Sequence, residues 1–85
     1  MTDARPRKRS LTLHGHRTSV SLEDAFWYEF QLMAADRGVS VNALAARIDR
    51  DRGVSAGLAS AIRIAVLRHV KAKARVGLDG ERPPP

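Results

Sequence analysis

The order of apolar and polar positions divides the chain into a short extended region followed by helices. From Leu11 the pattern alternates, with Leu11 and Leu13 on one side and Thr12 and His14 on the other, until Gly15 interrupts it. Beyond the glycine, Thr18, Val20 and Leu22 share one face while Arg17, Ser19 and Ser21 share the other, so the apolar parity switches across Gly15. A period of two predicts strand, and a glycine at the switch predicts a bulge or turn. A single strand over Arg17–Ser21 cannot satisfy its own backbone. Its partner is either the Leu11–Leu13 strand or the same strand of a second subunit.

Ser21 stands where a helix cap is expected, with Glu23 and Asp24 in the first turn and a Ser-x-x-Asp spacing that is a variant capping box. The helix it opens runs to about Arg37, and Gly38 occupies the stop position. Its apolar residues fall into two sectors. Leu22, Phe26, Trp27, Phe30, Met33 and Ala34 form one, and Ala25, Tyr28, Leu32 and Ala35 form the other. A helix apolar on two sides needs cover on two sides, which predicts a dimer. Ser40 caps a second helix with Val41, Leu44, Ala45 and Ile48 at i, i+3, i+4 and i+7. The stretch 50–57 breaks it. A third helix is predicted over Leu58–Ala74, with Leu58, Ala61, Ile62, Ala65, Val66 and Val70 inward and Arg68, Lys71 and Arg75 on the opposite side.

Composition narrows the function. With 85 residues, the chain has room for one small domain, expected over residues 10–75, between a flexible basic arm at 1–9 and a disordered proline-rich tail at 76–85. The formal charge is +6, with +4 over residues 1–17, −2 over 18–62, +5 over 63–75 and −1 in the tail. Two basic blocks around a mildly acidic middle favour a polyanionic partner. There is no cysteine, hence neither disulfide nor thiolate zinc. No stretch approaches the ~18 apolar residues of a membrane span, and the opening MTDARPRKRS lacks the apolar core of a secretory signal. A cytoplasmic protein without membrane contact is expected.

Catalytic chemistry finds little support. His14 and His16 form a His-x-His pair without a third ligand, so no metal site is assigned, and His69 lies on the apolar stripe of the third helix as a core or interface histidine. No serine sits in a nucleophile elbow and no glycine-rich phosphate loop occurs, so neither enzyme activity nor a cofactor is expected. The Phe26, Trp27, Tyr28 and Phe30 cluster could stack nucleic-acid bases, yet its helical spacing favours a core or interface role.

A strand with polar outward residues runs directly into a two-sided helix, followed by a Gly-x-Ser entry to a second helix. In this order Gly15–Glu23 with Phe26 and Trp27, then Gly38–Val39–Ser40 with Leu44, then Leu58–Arg63 resemble the ribbon-helix-helix superfamily of MetJ and Arc type, in a bacterial subfamily with an additional C-terminal helix. The resemblance implies a mostly α fold of strand-helix-helix-helix order and an obligate homodimer whose antiparallel ribbon forms between subunits and enters the DNA major groove. Carried over by position, Arg17, Ser19 and Ser21 would contact bases, since arginine addresses guanine bidentately and serine serves several bases. Ser40, Val41 and Asn42 would hold a phosphate at a helix N-terminus. Arg7, Lys8, Arg9, Arg68, Lys71 and Arg75 would add backbone contacts. Thr18, Val20, Leu22, Phe26, Trp27, Phe30, Met33, Leu44, Ile48, Ile62 and Val66 would form the core and dimer interface. The function implied is a double-stranded DNA-binding transcriptional regulator. The alternative is an interaction module, an antitoxin-like or adaptor dimer with a protein partner.

Overall fold

The computed structural model describes residues 4–53 and 57–81, with side chains through residue 75. Strands β1 (Arg7–Leu13) and β2 (His16–Leu22) precede helices α1 (Asp24–Asp36), α2 (Val41–Asp51) and α3 (Leu58–Glu81). The strand over residues 17–21 finds its partner within its own chain: β1 and β2 pair antiparallel, from Arg7 opposite Leu22 to Leu13 opposite His16. A tight turn makes this possible. His14 and Gly15 both hold positive φ, 53° and 81°, as the two-residue turn that matches strand twist requires. The ribbon implied between subunits is thus an intrachain hairpin in the single chain.

Crossing that turn brings Leu11 and Leu13 to the same face as Val20 and Leu22, and all four are buried against the helices. Phe30 and Met33 of α1, Leu44 of α2, and Ile62 and Val66 of α3 complete the core, each at most 3% exposed. Phe26, Trp27 and Ile48 pack against it half-buried. Thr18, expected in this set, is exposed. One side of α2, with Asn42, lies against β1, so Leu11 is covered while Thr18, across from it, is not. Val70 is also corrected, at 40% exposure on the flank of α3.

The helix boundaries follow their local chemistry, with one exception. Gly38 at φ 67° ends α1 in a Schellman arrangement, its amide donating to the Ala35 carbonyl at 3.1 Å and the Val39 amide to the Ala34 carbonyl at 3.0 Å. Ser40 caps α2, its hydroxyl accepting from the Ala43 amide at 3.0 Å. The exception is Ser21. It belongs to β2, which pairs as far as Leu22, and the α1 cap is Glu23 without a side-chain hydrogen bond, so the expected capping box does not form. The basic arm is also shorter than expected, because Arg7, Lys8 and Arg9 are strand residues opposite Leu22, Ser21 and Val20. At the other end α3 continues past Ala74 to Glu81. Residues 1–3 of the expected arm and 82–85 of the expected tail lie outside the described residues.

Candidate nucleic-acid interface

Alternation along a two-stranded ribbon puts every second side chain on each face. With the inner face committed to the core, the outer face carries Lys8, Ser10 and Thr12 of β1 beside Ser21, Ser19 and Arg17 of β2, in those cross-strand pairs. All six are exposed and polar. Arg17, Ser19 and Ser21 were the residues expected to face outward, and the structure places them so. Lys8, expected on phosphates from a flexible arm, stands on the same face, and Ser10 and Thr12 complete it. The latter two were missed as site residues, although Thr12 alternates with Leu11 and Leu13 in the sequence. Neither Lys8 nor Arg17 has a carboxylate partner among the described residues, so this face keeps its positive charge.

Among the described residues, Asn42, Arg63 and Arg9 make side-chain contacts that hold the ribbon on the helices. Asn42 Oδ1 at the start of α2 accepts from the Thr12 amide at 3.1 Å, which ties the outer edge of β1 to α2. Arg63 of α3 grips Glu23 with two bonds of 2.9 and 3.1 Å and reaches the Ser21 carbonyl at 3.4 Å, tying β2 to α3. Its guanidinium also lies 5.8 Å from the Phe26 ring centroid. Arg9 is the third. It bonds Asp24, donates to the Leu22 carbonyl at 3.3 Å and stacks 5.6 Å over the Trp27 ring. With its side chain 14% exposed, Arg9 is a structural cation and leaves the phosphate-contacting set. Arg7 beside it is 60% exposed and touches Asp24 only at 3.4 Å.

The carboxylates record this wiring. Glu23 is held below the ordinary carboxylate range by its own backbone hydrogen bond and by Arg63. Asp24 is lowered chiefly by the Arg9 hydrogen bond, Asp36 by Lys73 and then His69, and Asp49 by Arg52 and then His14. His69 Nε2 lies 3.2 Å from Asp36 and Lys73 Nζ 2.7 Å from the same oxygen, so this histidine is spent on an α1–α3 contact. His14 reaches Asp49 at 3.4 Å and steadies the turn against α2. The described residues contain no group of three or more histidine, cysteine, aspartate or glutamate side chains able to hold a metal.

At the second expected contact, the Ser40 hydroxyl is engaged as the α2 cap, and the amides of Val41 and Asn42 precede the first intrahelical bond, that of Leu44 to the Ser40 carbonyl. The Asn42 side chain is turned to β1. Arg68, Lys71 and Arg75 are exposed on α3, away from the hairpin's outer face.

A ribbon-helix-helix domain model matches residues 6–70, from the start of β1 to the middle of α3. The chain belongs to the ribbon-helix-helix family. The domain is similar in structure to an uncharacterized protein from Bordetella pertussis Tohama I, at 35% identity and a TM-score of 0.69, over 94% of this chain and 69% of that one. No curated protein sequence matches the chain significantly. Ribbon-helix-helix domains typically bind DNA, generally form dimers and are typically not enzymes. Among the described residues, no helix is long and apolar enough to cross a membrane.

Proposed function

We propose that this ribbon-helix-helix protein is a dimeric transcriptional regulator that reads double-stranded DNA with the outer face of its β1–β2 hairpin. The observation that carries the reading is that face: six exposed polar side chains on a two-stranded support, two of them cations with no carboxylate partner among the described residues. A two-stranded ribbon is of a width that the major groove admits. Arg17 addresses guanine, Ser19, Ser21, Ser10 and Thr12 serve as short donors and acceptors, and Lys8 stands at the open end of the ribbon near the groove wall. The amides of Val41 and Asn42, with the Ser40 cap, supply the phosphate contact at the start of α2, where the Asn42 side chain meets β1. Arg7, Lys71 and Arg75 add charge without base choice, whereas Arg68, expected with them, lines the hollows between α2 and α3 and is left out of this set.

The second copy covers the apolar sector of α1 that the single chain leaves open. Tyr28 and Leu32 are 60% and 42% exposed on α1, and beside that sector Leu67 and Val70 of α3, 55% and 40% exposed, line a hollow with Ala25, Phe26, Glu29 and Val66. Arg63 places α3 on the β2 side, so this surface adjoins the free edge of β2, where the backbone of Arg17 and Ser19 points away from β1.

Selection from a random duplex pool at moderate salt tests the reading. Enrichment of a short inverted or direct repeat is expected. A bound fraction with no enriched sequence would refute base readout and favour the interaction-module alternative.

A further inference from the structure

The flank of α2 turned away from the hairpin carries a feature that DNA reading does not use. Asn42 and Asp49 occupy one side of α2 and meet β1 and the turn. On the other side Arg47, Ile48 and Asp51 look across to α3 and bound two adjoining hollows of about 360 and 310 Å³. The two share Ile48, Asp51, Ala65 and Arg68 and form one groove. Its floor is apolar, made of Ile48, Ala61 and Ala65 and continued by Met33, Leu44 and Ala72. Its rim is basic, with Arg37, Arg47 and Arg68 all exposed and none of them paired to a carboxylate among the described residues. Arg52 and His69 also stand on the rim but are engaged by Asp49 and Asp36. Asp51 is the acid among the groove-lining residues.

We propose that this groove binds a small amphipathic anion, a carboxylate or phosphate ester with a short apolar body, as a ligand of the regulator. The body lies on the Ile48–Ala65 floor and the anionic head meets the forks of Arg47 and Arg68, with Arg37 behind them. Charge decides the occupant. Arg37, Arg47 and Arg68 outnumber Asp51 around the groove, and an anion neutralises cations that no ion pair engages among the described residues. Size agrees. Hollows of about 360 and 310 Å³ stand at the lower end of small-molecule sites, which suits a ligand of roughly ten non-hydrogen atoms. Octanoate is a probe of that size, and ligands this small bind in the millimolar to micromolar range.

The test is an amide-resolved NMR titration of the full chain, without DNA, using octanoate, octanol and inorganic phosphate in turn up to about 10 mM. The expected result is saturable octanoate binding confined to signals of residues 37, 44–51 and 61–72, at least about tenfold tighter than either other probe. An Arg47→Gln/Arg68→Gln variant, altered only at exposed positions, should weaken octanoate by about tenfold or more while hairpin signals stay in place. Octanol binding as well as octanoate would overturn the role of the arginines, and phosphate binding as well would overturn that of the floor. A duplex that shifts the Arg37, Arg47 and Arg68 signals would assign these cations to the nucleic-acid backbone and also overturn the proposal. The titration needs no operator, so failure of DNA readout and failure of this site are distinguishable.

Discussion

Truncating Leu11 to alanine tests whether β1 is an integral part of the domain. Leu11 is 2% exposed, opposite Thr18, with the start of α2 laid over it. The substitution deletes three carbons, a methine and two methyls, from a closed core at about 0.8 kcal/mol each, which sets a lower bound near 2.4 kcal/mol if the site collapses completely. Partial relaxation leaves a cavity whose cost raises the loss to about 3–4 kcal/mol. Native domains of this size have only about 4–13 kcal/mol in total, so the loss is a large share of the whole. Urea unfolding followed by circular dichroism, at one fixed protein concentration because dimerisation would stabilise by mass action, measures it. Ser10→Ala, one residue away on the outer face, should stay within about 0.5 kcal/mol of the parent. A Leu11→Ala loss below about 1 kcal/mol would mean that β1 does not pack on the helices, and the six-residue outer face would go with it.

Further outcomes follow from the same geometry. Glu23, Asp24, Asp36 and Asp49 are all lowered in the folded chain, so the unfolded chain binds more protons in acid. Their contribution is complete above about pH 5 and is lost as pH falls below the ordinary carboxylate range of about 4 and through the lowered folded-state range. The urea midpoint should therefore drop over that window, less steeply in Asp24→Asn, and a midpoint that rises with acid would contradict the ion-pair wiring. Leu32→Asp places a charge on the exposed α1 sector, and sedimentation should shift from dimer to monomer with little change in monomer helicity. An unchanged dimer would put the interface elsewhere.

Much of this fold is readable from periodicity. The parity switch at Gly15 is the hairpin seen in one dimension: two in-phase leucines before a turn and Val20 and Leu22 after it end on one face because the turn reverses the chain. Gly38 and Ser40 announce their helix boundaries because each acts through its own backbone neighbours. Ser21 misleads for the opposite reason. Its spacing to Asp24 satisfies a local rule, but the pairing of Leu22 with Arg7 keeps it in the strand, and that competitor lies fourteen or more residues away in sequence. Arg7 to Arg9 are likewise masked, since a run of cations shows no alternation. Only the tertiary site of Asp24, Trp27 and the Leu22 carbonyl explains an inward arginine. The basic groove draws on α1, α2 and α3 together, so no local pattern contains it.

The most direct test of hairpin readout compares two cation removals on a selected duplex and on a scrambled one. Arg17→Ala should lose about 1–3 kcal/mol on the selected duplex, roughly 5- to 150-fold in affinity, and much less on the scrambled one. Lys71→Ala should weaken both alike and reduce the salt slope by about one. If Arg17→Ala instead weakens both duplexes equally, the outer face of the hairpin supplies charge without reading sequence, and the central claim fails.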